Sequence, residues 1–135
     1  MNKGINREYK RLRKAGWTAK AAFRAAKVRD EFEARDDVRL TIVPDSDMCF
    51  SDWLVCEDGL TEQQINELKD TAMDEGFWGV VGEFCDDVDG EEVWVQVDSV
   101  WGFLGSGWRD SGYDTDIMES TLAAAAERDE RCFAC

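Results

Sequence analysis

The sequence predicts an α+β domain, a small antiparallel sheet with packed helices, preceded by a basic N-terminal αα-hairpin. Three observations predict it. Four segments carry apolar residues at helical spacing and open or close on capping residues. Three others alternate, or run apolar, in the manner of strands. An Asp89-Gly90 pair joins the last two of these, a strong signature of a tight hairpin turn.

Ile5 to Ala15 reads as a helix with Ile5, Tyr9 and Leu12 on one face and Arg7, Lys10, Arg11, Arg13 and Lys14 over the rest. Gly16 ends it as a left-handed C-cap, and Thr18 caps the next helix, about Ala19 to Arg35. Phe23, Val28 and Phe32 are apolar positions of that helix, while Lys20, Arg24 and Lys27 form a basic stripe. Val38 to Val43 alternates as a strand and stops at Pro44, the only proline. The stretch Asp45 to Gly59 is acidic yet holds Met48, Phe50, Trp53, Leu54 and Val55, which predicts a packed segment. Thr61 with Gln64 makes a capping box, opening a helix that Gly76 ends. Its buried face would be Ile65, Leu68, Ala72 and Met73.

Phe77 to Cys85 and Val93 to Phe103 are the hairpin strands. Alternation points Val93, Val95 and Val97 one way and Trp94, Gln96 and Asp98 the other. Beyond a loop from Gly105 to Tyr113, Asp114 or Thr115 caps a last helix to about Arg131 that buries Ile117, Met118, Leu122 and Ala125. A chain of 135 residues has room for one core. Residues 1–37 therefore read as a basic helical hairpin and 38–135 as the acidic body of a single compact domain.

The apolar share of 44% is that of a globular protein. No apolar run has the length of a membrane span, and no signal-peptide apolar region follows the charged N-terminus. The expected location is the cytosol, and the odd count of five cysteines fits reduced thiols there. There is no histidine, which removes the usual general base, the usual pH switch and the commonest metal ligand. Ser99, Ser106 and Ser111 accordingly lack a triad partner, and among thirty acids no carboxylate pair stands out. No enzyme, no metal and no cofactor is the expectation.

Three motifs have simpler readings than their chemistry. In Asp86-Asp87-Val88-Asp89-Gly90-Glu91-Glu92, aligning Gly90 with the calcium-loop glycine puts Cys85 and Gln96 at positions that need carboxylates, so a solvated hairpin turn is preferred. Cys132-Phe133-Ala134-Cys135 has redox spacing but does not open a helix, and Cys49 and Cys56 complete no zinc set. Gly102 to Gly107 is glycine-rich, yet no P-loop lysine follows and the neighbouring Asp98 and Asp110 repel phosphate. Cys85 reads as a small buried hydrophobe. Among the six tryptophans, Trp78, Trp94 and Trp101 read as core, and Trp53 and Trp108 sit in acidic loops where an indole can anchor an interface.

Charge is the informative feature. Thirty acids against sixteen basic residues give a net charge of -14. From Met1 to Arg29 ten basic residues meet one acid, Glu8, a balance of +9; from Asp30 to Cys135 six meet 29, a balance of -23. The halves either attract one another or serve different partners. A balance of -23 exceeds what solubility requires. Closely spaced carboxylates imitate the phosphates of a duplex and compete for a basic groove. The acids expected to meet such a partner are Asp45, Asp47, Asp52, Glu57 and Asp58, then Asp86, Asp87, Asp89, Glu91 and Glu92, then Asp110, Asp114 and Asp116. The basic patch is Lys10, Arg11, Lys14, Lys20, Arg24 and Lys27, which would orient the complex, supply a homodimer surface or dock on the acidic body. Direct nucleic-acid binding is the weaker reading, because the acidic body repels a duplex at close range.

The opening Ile5-Asn6-Arg7-Glu8-Tyr9-Lys10-Arg11-Leu12-Arg13-Lys14-Ala15-Gly16-Trp17 resembles the start of small proteins encoded by phages and prophages. Asp98-Ser99-Val100-Trp101-Gly102-Phe103 with Ser111-Gly112-Tyr113-Asp114 is similar to a tryptophan-glycine stretch of the same kind of protein. The two segments cover about a quarter of the chain and carry over no site residue. The resemblance implies a mobile-element origin, in which small acidic proteins recur as anti-CRISPR and antirestriction inhibitors that act as DNA mimics. The partner it implies is a basic nucleic-acid-handling complex of the host. The competing expectation is a nucleic-acid-binding or regulatory protein working through the basic helices.

Overall fold

Helix ends in this chain are set by local chemistry, and they fix the order of elements. In a computed structural model, which describes residues 2–55 and 57–134 (the last three by backbone alone), that order is α1 (Lys3–Lys14), α2 (Ala19–Glu33), β1 (Val38–Pro44), α3 (Phe50–Leu54), α4 (Glu62–Glu75), β2 (Phe77–Val88), β3 (Glu91–Leu104) and α5 (Tyr113–Ala134). The Asn2 side chain accepts from the Ile5 N–H at 2.8 Å and starts α1 two residues earlier than its apolar pattern suggests. Gly16, with φ +98°, ends it. The Gly16 and Trp17 N–H groups donate back to the Arg13 and Leu12 carbonyls, and Trp17 packs with Leu12. Thr18 caps α2, and Thr61 with Gln64 forms the full reciprocal box at α4. Asp89 and Gly90 both have positive φ, as a two-residue hairpin turn of the right twist requires.

The three strands form one antiparallel sheet in the order β1-β2-β3. Its inner face is closed by α5, and the contact is tight. A Cβ placed on Gly82 would lie 2.3 Å from Thr121 Oγ1 and 2.6 Å from Ile117 Cγ2, so only glycine lets the helix sit directly on the β2 backbone. Val28 and Phe32 of α2, Val38 of β1, Phe84 of β2, and Met118 and Ala125 of α5 make the main core, extended by Leu40, Val95, Val97 and Leu122. Leu12, Ala22 and Ala25 join α1 to α2 in a smaller cluster with Tyr9 and Trp17.

Four expectations are corrected. The last helix begins at Tyr113, so neither Asp114 nor Thr115 stands before it as a cap. Both lie in its first turn, where the Asp114 carboxylate turns back to accept from the N–H groups of Asp110 and Gly112. Met73 is 77% exposed, and no residue of α4 is fully buried; the helix contributes to neither core cluster. Val55 is 80% exposed, so the 45–59 stretch is packed only in part, through Trp53 between Phe50 and Phe77. Strict alternation along β3 fails as well. Gly82 pairs with Asp98 but Glu83 with Gln96, leaving Val97 as an extra residue, and a second irregularity falls opposite Gly79.

That bulge reverses the phase of β3 beyond Val97. Ser99 and Trp101 come to share the outer face with Trp94 and Gln96, although Trp94 and Trp101 are seven residues apart. Trp101 is 47% exposed and is not part of the core. Cys85 is half-buried, and burial pushes its thiol up; Cys49 is exposed. Cys56 and Cys135 and the side chain of Cys132 lie outside the described residues, and with them the C-x-x-C pair.

Candidate protein-binding surface

The structure sorts the predicted charges into two groups. The first ties the basic hairpin to the body. Arg11 makes a two-pronged pair with Asp110, at 2.6 and 2.9 Å, and a second with Glu8. Arg11 holds the carboxyls of both below their ordinary range, and they in turn push its guanidinium up. Arg24 reaches Asp116 at 2.8 Å and Glu119 at 3.2 Å. Arg29 reaches Asp114 at 3.1 Å, and that carboxylate is 1% exposed. Asp110, Asp114 and Asp116 therefore meet this chain's own arginines, and Asp114 offers no surface to a partner. Of the predicted basic patch, Arg11 and Arg24 are committed to these pairs. Lys10, Lys14, Lys20 and Lys27 are exposed and take part in none of them.

A further network, which the sequence pattern does not announce, closes the far end of the core. Arg35 and Arg128 converge on Asp37, and both also reach Asp129. Arg128 donates to the Cys85 carbonyl as well and lies over the Phe84 ring. Arg35, with Arg128 beside it, holds the Asp37 carboxyl well below the usual carboxylate range.

The second group is outward-facing. Between Asp45 and Glu92 there are sixteen acids and one basic residue, Lys69. Asp47, Asp52, Glu57 and Asp58 are exposed, with Asp45 half-buried. Asp87, Asp89, Glu91 and Glu92 are exposed at the tip of the β2-β3 hairpin, where Asp87 accepts from the Gly90 N–H and Asp86 from that of Asp87. None of these ten predicted residues takes part in the ion pairs described above. Glu83 is different, because its carboxylate accepts from Thr41 Oγ1 and Arg39 Nε on the outer face of the sheet.

The cavities are shallow grooves. One of about 490 Å³ runs between the hairpin and the body over Phe32, Leu40, Met118 and Trp108, its rim held by the paired Arg11, Arg29 and Glu8. Another of about 440 Å³ is lined by Pro44, Asp45, Ser46, Asp47 and Trp101. Trp101 is the residue that sequence reasoning missed here. Its signal, an indole within an alternating strand, is masked by the bulge that moves it to the open face. Among the described residues no three acids or thiols converge to hold a metal ion, and no helix is long and apolar enough to cross a membrane. No family model matches the chain, and searches of curated proteins and of solved structures find no significant match.

Proposed function

We propose that this chain is an inhibitor of the phage type, which occupies the basic groove of a host nucleic-acid-handling complex, a CRISPR effector or a restriction enzyme, in place of nucleic acid. The observation that carries this reading is the division of charge. The basic hairpin docks on α5 and the loop before it, so the +9 segment is partly neutralised within the molecule, while the acids of 45–58 and 86–92 face outward. Holding that many like charges on one stretch opposes folding, and a partner that neutralises them gives the cost a use. Long-range attraction to a basic groove also speeds encounter and makes it sensitive to salt. Such a partner places the chain in the host cytosol.

The test uses the chain as bait in a bacterial lysate, beside a variant with Asp86, Asp89, Glu91 and Glu92 changed to lysine. The expected result is capture of a nucleic-acid-handling protein that duplex DNA and added salt release, and that the variant fails to hold. Capture indifferent to DNA and to charge reversal overturns the reading. The competing reading is direct nucleic-acid binding through Lys10, Lys14, Lys20 and Lys27, which are exposed on the hairpin. It predicts a gel shift that is lost when those lysines are neutralised.

A further inference from the structure

The outer face of the sheet carries two indoles in two different states. Over Trp94 the Arg39 guanidinium lies 3.9 Å from the ring centroid, while its Nε donates to the Glu83 carboxylate at 3.1 Å. That is an arginine held between an aromatic face and a carboxylate, the combination that a delocalised, weakly hydrated cation prefers. Trp101 repeats half of it. A Cβ at Gly79 would fall 2.2 Å from Trp101 Cε3, so the ring lies directly on the β2 backbone. Its Nε1 donates to Ser99 Oγ at 3.1 Å, which fixes its orientation. Trp101 is 47% exposed as a residue and borders the groove that Asp45 and Asp47 line. Arg39 is committed to Trp94 and Glu83; no cation of this chain is paired with Trp101 among the described contacts.

We propose that this groove takes an arginine side chain from the basic partner, its guanidinium stacked on Trp101 and its charge met by Asp45 and Asp47. The proposal rests on the reading of the chain as a ligand for a basic protein and adds where, and by which residue type, that protein is gripped. Carboxylates at the rim exclude a phosphate, so nucleic acid is not the occupant. Lysine fits less well, because a compact and strongly hydrated ammonium gives up more water and offers no plane to stack. A fixed ring also spares the partner the ordering cost that a mobile indole would add.

The experiment titrates the full chain with hexa-arginine and hexa-lysine peptides at physiological salt, reading affinity by calorimetry and the tryptophan indole N–H resonances by NMR. The native chain is expected to favour arginine about tenfold. Trp101→Ala should remove most of that preference, leaving both peptides bound equally through charge alone. Trp101→Phe should keep part of it, and its lost resonance assigns the Trp101 signal. In the native chain that signal should move with hexa-arginine more than with hexa-lysine, a readout that does not depend on Trp101→Ala folding. An arginine preference unchanged by Trp101→Ala, or a Trp101 signal that stays still at saturation, overturns the proposal. If the preference is unchanged while lysines at Asp86, Asp89, Glu91 and Glu92 abolish peptide binding, the groove is wrong and the acidic-ligand reading stands. If neither peptide binds at all, both fall.

Discussion

The α1-α2 hairpin and the stretch from Asp45 to Glu92 carry opposite charge, and they are held in the molecule by opposite means. The hairpin has a core of its own in Leu12, Ala22 and Ala25, contributes Val28 and Phe32 to the main core, and pairs its arginines with α5. The acidic stretch is anchored by the central strand β2, where Val80, Val81 and Phe84 are buried, but its helices α3 and α4 bury no residue fully, and most of its carboxylates stand in water. The difference teaches how a bipolar chain avoids simply folding its two charges onto one another. The acids of α5 and of the loop before it serve as counter-charges to Arg11, Arg24 and Arg29 of the docked helices. The outward-facing acids of 45–58 and 86–92 lie on α3 and its flanking loops or at the tip of the β2-β3 hairpin.

The sharpest break of that contrast is at Asp114. Asp114→Ala strips Arg29 of a buried counter-charge and leaves the N–H groups of Asp110 and Gly112 without their acceptor, so a loss of about 3–4 kcal/mol is expected in urea unfolding. Glu91→Ala at the exposed hairpin tip should stay within about 0.5 kcal/mol of the native chain. Equal losses at the two sites would erase the distinction between structural and outward-facing acids.

A step smaller is the apolar comparison. Leu12 is 2% exposed, so Leu12→Ala should cost about 3 kcal/mol. Leu68→Ala on half-buried α4 should cost less than about 1 kcal/mol. Hydrogen exchange should likewise find the α4 amides opening before those of α2.

The smallest effect sharpens the electrostatic side. Because the folded-state pKa of Asp37 is depressed, its stabilising contribution is complete above the unfolded value of about 3.9 and is lost as pH falls through the folded one. Asp37→Asn should therefore cost about 2 kcal/mol at pH 7, and the gap to the native chain should narrow steadily as pH drops below about 4. A gap that stays constant down to pH 2 would assign the loss to packing rather than charge.

Much of the fold is legible in the sequence because local rules write it. Gly16, Thr18, Thr61 with Gln64, and Asp89 with Gly90 each state a cap or turn within a few residues, and the structure has all of them. The α5 face of Ile117, Met118 and Ala125 follows from helical period and is buried as expected. Partner choice among charges is not local. Arg11 and Asp110 are 99 residues apart, and nothing in their neighbourhoods distinguishes that pairing from many others. Met73 fits the apolar stripe of α4 but has no surface opposite it, which periodicity alone cannot report. Alternation puts Trp101 on the wrong face because it assumes that every residue of a strand advances its pattern by one step.

Val97 breaks that assumption in the way a frameshift breaks a message. One unpaired residue in a period-two element exchanges the faces of the residues that follow it, here as far as the second irregularity opposite Gly79, so Trp94 and Trp101 share one face in spite of their odd separation. The chemistry of this surface is thus set by the parity of the residue count between them as much as by the residues themselves. Lengthening the 89–90 turn leaves that arrangement intact, and so would losing Val97, which gives an even separation of six; pairing Val97 regularly with no residue lost would instead turn the indole of Trp101 toward the side where α5 already fills the space over Gly82.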